Sequence, residues 1–383
     1  MTEQSGKPKE VIFTKRGSEP QLSFQKYYGE ENYVPVVKSN EKSTPYFVGR
    51  RWQDLWEAEG GVARYDDEVL ALVVDSQERQ VPLFFGPVAE QRIKFKSPEA
   101  ASEHIKKKSI EFGASDVGIT ELIPTDLYQG CETRERYAIA LALPMRYPEF
   151  KVTPSPAAGL EAVRSYHECG EVAIKLSQHI RSLGYTCEVD TPMGDGRFVQ
   201  VPIAERAGLG ALGRHGSLMH PTLGPNFRLI IVVTSIPMAV DSLREGGVAK
   251  LCDSCKACRR YCPADAIPDH RSPEAGKDSF GNDRYVVDTG KCYPYMKKDY
   301  SCGACVAACI YHRKQWARDY DGAPIMEYPD VPMGRRLHDE PLPPFDSVPE
   351  EEKHFYPRVN RGQPKKYWPS NMNLDGTLKK QTK

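Results

Sequence analysis

Net charge is the first thing this sequence lacks. Lys and Arg total 52, Asp and Glu total 52, and the 383-residue chain has no overall charge to offer a polyanion. General electrostatic attraction to nucleic acid or an anionic membrane is therefore excluded, leaving room only for a local basic pocket. No run of 18 or more apolar residues occurs, so no membrane-spanning helix is expected. Met1–Arg16 is polar and has no apolar secretory core. The pair Arg50-Arg51 stands too far from the start for a twin-arginine export signal, and Asp54, Glu57 and Glu59 follow it. A cytoplasmic location is expected. No histidine stands at zinc spacing within the cysteine-rich run.

Cysteine, by contrast, is plentiful and uneven. Of 11 cysteines, eight fall between Cys252 and Cys309. In a cytosolic chain such clustering points to metal more often than to disulfides. The first group, Cys252-x2-Cys255-x2-Cys258-x3-Cys262-Pro263, has the spacing of a bacterial ferredoxin run. Three thiolates on a tight loop grip one [4Fe–4S] cubane, and the fourth reaches the other cluster. The second group is Cys292-x9-Cys302-x2-Cys305-x3-Cys309. By the same crossing, Cys309 completes the cluster of Cys252, Cys255 and Cys258. Cys262, Cys292, Cys302 and Cys305 hold the second. Paired zinc sites also use C-x2-C, but the x2-x2-x3-Pro spacing favours clusters. Cys292 is the open point, because without it the second cluster would be incomplete. Cys131, Cys169 and Cys187 are read as idle or buried thiols.

The rest of the chain reads as a mixed α/β protein. Residues 1–95 form an N-terminal extension in which Val69–Val74 and Val81–Phe85 read as strands. Ser97-Pro98-Glu99 is a helix start, and Gly113 stops that helix. Val117–Ile119, Tyr137–Leu143 and Leu229–Thr234 read as strands. A helix over about 161–183 buries Val172, Leu176, Ile180 and Leu183, with Gly184 as its cap. We expect a core over 96–245, a ferredoxin-type module over 246–324 and an extended, proline-rich arm over 325–383. Two clusters make a wire, and some 240 residues before Leu251 are more than a small ferredoxin needs. That surplus calls for a second cofactor or a partner.

Several segments carry a family resemblance. Pro202 to Gly216 (PIAERAGLGALGRHG), Pro221 to Arg228 (PTLGPNFR), Thr234 to Met238 and Ile180 to Tyr185 resemble the corrinoid-dependent reductive dehalogenases. The stretched second cysteine group does too. The resemblance covers roughly 95–320. Epoxyqueuosine reductases share the plan more distantly.

The resemblance implies a nitroreductase-like core holding base-off cobalamin beside the two-cluster module. It implies a small-molecule substrate, reductive dehalogenation, and a separate low-potential donor of ferredoxin or flavodoxin type, because the chain carries no flavin reductase module. Tyr166 matches the tyrosine that delivers a proton, and Arg214 matches a basic residue that would stabilise its phenolate. Gly208, Gly210, Gly213 and Gly216 would let backbone approach a large ligand. A His-on corrinoid class uses Asp-x-His-x-x-Gly; here Ser165 replaces the Asp before His167, so His167 is read as an ordinary helix residue without a carboxylate partner. Epoxyqueuosine reductases place an acidic proton donor at the position of Ser165 and favour Gly-Lys where Gly213-Arg214 stands. Both departures disfavour epoxide reduction. A non-catalytic electron-transfer or corrinoid-reducing protein is the third reading.

Overall fold

A computed structural model describes residues 9–12, 34–42, 62–65, 67–150, 153–192, 196–298 and 302–312. The arm expected over 325–383 and most of 1–66 lie outside the described residues. The chain divides into two compact units that are interleaved in sequence. The first is made of Met1–Leu143, Val163–Ile203 and Arg228–Val240, and the second of Pro144–Ala162, Ala204–Phe227 and Asp241–Lys383.

The first unit is built on a four-stranded sheet. Its strands are β1 (Asp116–Glu121), β2 (Tyr137–Pro144), β3 (Cys187–Asp190) and β4 (Phe227–Thr234), in the order β1-β2-β4-β3. The β1–β2 and β3–β4 ladders are antiparallel, with Ile119 opposite Ile139 and Val232 opposite Val189. Strand β2 is apolar along nearly its whole length and buried on both faces, which is why it reads as one unbroken hydrophobic run.

Three helices belong to this description. They are α1 (Asp67–Asp75), α2 (Pro98–Glu111) and α3 (Pro156–Ser182). Ser97 caps α2, its Oγ accepting from Ala100 N at 3.3 Å. Helix α3 presents Val172, Leu176 and Ile180, all buried, to a core shared with Ile105, Ile139, Leu141 and Ile230. Gly184, in the left-handed region at φ 80°, ends its last turn. A side chain there would strike the backbone of Arg92, at 2.6 Å from its Cα, so conformation and space both require glycine.

The strands expected at Val69–Val74 and Val81–Phe85 are helical instead. Helix α1 continues through one π-helical turn, Ser76–Gln80, into a short helix at Val81–Leu83. Val69, Val73, Ser76 and Gln80 are its buried positions. That spacing is helical, and a six-residue apolar run was too short to reveal it.

The second unit carries the cysteine-rich segment on short helices: α4 (Val248–Ser254), α5 (Ala257–Tyr261), α6 (Thr289–Lys298) and α7 (Ala304–Ala307). Among the described residues no helix is long and apolar enough to cross a membrane.

Candidate functional site

The eight clustered cysteines come from four helices and the turns after them. Cys252 lies near the end of α4, Cys258 in α5, Cys292 in α6 and Cys305 in α7, while Cys262 and Cys309 each follow directly on a helix. Cys309 packs with Cys252 and Cys255 around Leu251, Tyr285 and Tyr311. Cys262 packs with Cys292 and Cys305 around Ala266 and Ile267. Cys258 borders both groups: it packs beside Cys262, yet the negative charges that act on it are those of Cys252 and Cys255.

Electrostatics sorts the thiols the same way. Burial, and then the charges of Cys252, Cys258 and Cys255, push Cys309 well up. Burial, and then Cys262 and Cys302, push Cys292 up to about 12. Cys305 is raised by burial, then Cys292, Cys262 and Cys302, and last by Cys258, which borders both groups. Two sets of four thiols, with burial disfavouring the thiolate at Cys252, Cys258, Cys292, Cys305 and Cys309, fit two iron–sulfur cubanes whose iron supplies the compensating charge. Cys292 sits in the first turn of α6, where the charges of Cys262 and Cys302 reach its thiol.

Arg214 lies in the same unit and is fully committed there. It is 1% exposed. Its guanidinium donates to Cys252 O, to Pro268 O at 3.0 Å and to Asp269 O at 2.7 Å. Its Cζ stands 4.2 Å from the centroid of the Tyr285 ring, and its backbone N donates to Cys252 Sγ at 3.4 Å. The four glycines around it face the chain's own atoms. A side chain at Gly208 would meet Ser242 O, at Gly210 Met219 O, at Gly213 Met219 Cγ (2.9 Å) and at Gly216 Val287 Cγ2 (3.2 Å). They permit tight packing of the chain against itself at these four positions.

Two orphaned polar atoms in this unit are better suited to an amide-rimmed macrocycle. His215 Nδ1 accepts from Ser217 N at 3.2 Å, which puts the ring's proton on Nε2. Burial lowers His215 to about 4, so the ring is neutral, and its Nε2–H has no partner. Asn226 donates from Nδ2 to Met145 O at 3.0 Å and leaves its buried Oδ1 without one.

Tyr166 stands in the first unit, on α3. A guanidinium does lie over its ring, but it is that of Arg228, with Cζ 4.4 Å from the centroid. Arg228 projects from β4 and donates from Nε to Ser165 Oγ at 3.3 Å. Ser165 thus fixes the cation over the phenol.

No family model matches the chain. A tetrachloroethene reductive dehalogenase of Desulfitobacterium hafniense is 29% identical over 286 residues, covering 60% of this chain and 51% of that protein. A solved reductive dehalogenase, described as suggesting a mechanism for B12-dependent dehalogenation, superposes with a TM-score of 0.59 at 20% identity over 79% of this chain and 49% of that one. The resemblance to reductive dehalogenases holds. It spans about half the length of the curated relatives, and the solved structure speaks for the fold alone. The epoxyqueuosine reductase of Aliivibrio fischeri is 25% identical over 173 residues, covering 39% of this chain and 41% of that enzyme.

In this reductive dehalogenase-like chain, sequence reasoning missed two residues. Arg228 lies 62 positions from Tyr166, on a strand, so no local spacing could have linked them. Asp75 was missed for the same reason. Its carboxylate meets His167 Nε2 at 2.6 Å, so the partner absent at Ser165 arrives from α1, and the expectation of a histidine without a carboxylate is corrected. Asp75, His167 and Glu171 lie close enough to hold a metal. Arg79, however, pairs with both carboxylates, at 2.7 Å from Asp75, and supplies the cation. Cys169 and Cys187 are core thiols, each pushed up to about 12 by burial.

Proposed function

We propose that the chain is a corrinoid-dependent iron–sulfur oxidoreductase that removes a halogen from a small organic molecule. The observation that carries this reading is the Arg228 guanidinium held over the Tyr166 ring by Ser165. Within it, 96–245 is the nitroreductase-like core and 246–324 the ferredoxin-type module. The relatives' activity comes to this chain only as part of this proposal.

Base-off cobalamin, when bound, would supply low-valent cobalt to break the carbon–halogen bond, and the clusters would deliver electrons from a separate low-potential donor. The chain's own residues do the remaining work. Tyr166 holds a proton on its phenol oxygen for the carbon that loses halogen. Arg228, held over the ring, offsets the charge left behind. His215 Nε2–H and Asn226 Oδ1 offer one donor and one acceptor to the corrinoid's amides. Arg214 serves the first cluster set and takes no part at Tyr166.

Ser165 cannot donate a proton as an acidic residue would, and its hydroxyl is engaged by Arg228, which disfavours epoxide reduction. The test is turnover without oxygen, with reduced methyl viologen as sole donor and a panel of aryl and alkenyl halides. Halide release that requires cobalamin and falls at least 100-fold in Tyr166→Phe is expected. Viologen oxidation by an epoxide with no halide released from any compound would overturn the reading. So would an iron-loaded protein that turns over neither and only reduces the cobalt of another protein.

A further inference from the structure

The two cysteine sets sit in unlike charge environments. The Cys252 set is flanked by guanidiniums. Arg214 and Arg271 lie over the same Tyr285 ring, with Cζ atoms at 4.2 Å and 4.5 Å from its centroid. Tyr285 belongs to the same buried cluster as Cys252 and Cys309. Both arginines act on the Cys252 thiol and favour its thiolate, and Arg214 acts on Cys258 as well. Arg271 is anchored by Asp253, at 2.7 Å, and by Asp283 O, at 2.6 Å. The same Asp253 Oδ1 accepts the Tyr285 hydroxyl at 2.5 Å. For the second set, the outside charge acting on Cys292 is the Asp288 carboxylate, which disfavours negative charge. Backbone N–H groups act on sulfur in both sets, from Arg214, Arg259 and Tyr311 to Cys252, Cys258 and Cys309 in the first and from Ala266 N to Cys262 at 3.3 Å in the second, and they favour the reduced first cluster in the same direction as the arginines.

We propose that Arg214 and Arg271 are potential-setting residues, which hold the cluster on Cys252, Cys255, Cys258 and Cys309 at a higher reduction potential than its neighbour. A cluster gains one negative charge when it takes up one electron. A fixed guanidinium stabilises that reduced form and a carboxylate opposes it. An electron supplied by a one-electron reductant to the cluster on Cys262, Cys292, Cys302 and Cys305 therefore runs downhill to the Cys252 set. The donor cluster is oxidised by one electron as the acceptor is reduced by one. Exposure matches this direction, since three thiols of the second set, Cys292, Cys302 and Cys305, are part-exposed against Cys255 alone in the first. The inference rests on the reading that the eight cysteines hold two clusters.

The experiment is a redox titration of the full-length reconstituted chain, followed by electron paramagnetic resonance, with iron counted in each variant. The wild type should show two one-electron waves. Arg271→Gln should lower the upper wave by about tenfold in its equilibrium constant, 59 mV for one electron, and leave the lower wave in place. Asp253→Asn, which removes the opposing charge, should move the same upper wave the other way. Asp288→Asn should raise the lower wave alone. Arg271 is chosen ahead of Arg214 because loss of Arg214 would free three carbonyls and endanger folding. With iron retained, an Arg271→Gln variant that moves neither wave, or only the lower one, overturns the proposal. A wild type that holds no clusters overturns the cofactor reading itself, and the iron count tells the two failures apart.

Discussion

In the proposed reaction Tyr166 and Arg228 act as a pair, and their geometry fixes what each substitution should do. Tyr166→Phe keeps the ring under the guanidinium and removes only the transferable proton. Turnover should fall about 10²–10⁴-fold with the melting temperature unchanged. Arg228→Met removes the charge and keeps the bulk, so a smaller loss, on the order of tenfold, is expected. Both are read in the halide-release assay. A third residue gives a pH signature. Glu135 is buried in the first unit, and burial, followed by the neighbouring charge of Glu188, raises it from 4.5 to about 8. Because its folded value is raised, the unfolded chain gives up this proton first. The stability it contributes is present below about 4.5 and is lost as pH rises through about 8. Glu135→Gln should flatten that decline in a series of denaturant melts, and an unchanged slope would contradict the assignment.

The segment after α1 docks on α3 through Gln80. It donates from Nε2 to His167 O at 2.9 Å and to Glu171 Oε1 at 2.8 Å, and its carboxamide fills the space where Gly170 lacks a side chain. Glycine to alanine inside a helix is ordinarily stabilising. Here Gly170→Ala should instead destabilise, by about 1–3 kcal/mol as the buried Gln80 bonds break. Adding Gln80→Ala should restore part of the loss, as read by thermal melts. This contact also marks the limit of legibility. Helix α3, its cap at Gly184 and strands β2 and β4 were readable because long periodic or continuous apolar patterns leave few alternatives. The α1 segment was not, because its apolar run spans less than two helical turns and its helical pattern continues through Ser76 and Gln80, which are polar. The two cysteine groups were readable as groups because their members recur at short fixed spacing. Arg228 and Asp75 were hidden because they reach their partners across the fold from distant stretches of sequence.

Across the whole molecule, the crossing of the two cysteine groups makes a prediction that simple order in the chain would not. Cys309→Ser should damage the cluster of the first group although it belongs to the second, while Cys305→Ser should spare it. Spectra of the two variants should lose different waves. In the proposed reaction the two clusters feed a bound corrinoid, and the metal content of the protein tests that. The chain is purified without oxygen, reconstituted with iron, sulfide and cobalamin, desalted, and its iron and cobalt counted per polypeptide. About eight irons with about one cobalt is the predicted result. About eight irons with no retained cobalt would leave the clusters standing and contradict the corrinoid reductase.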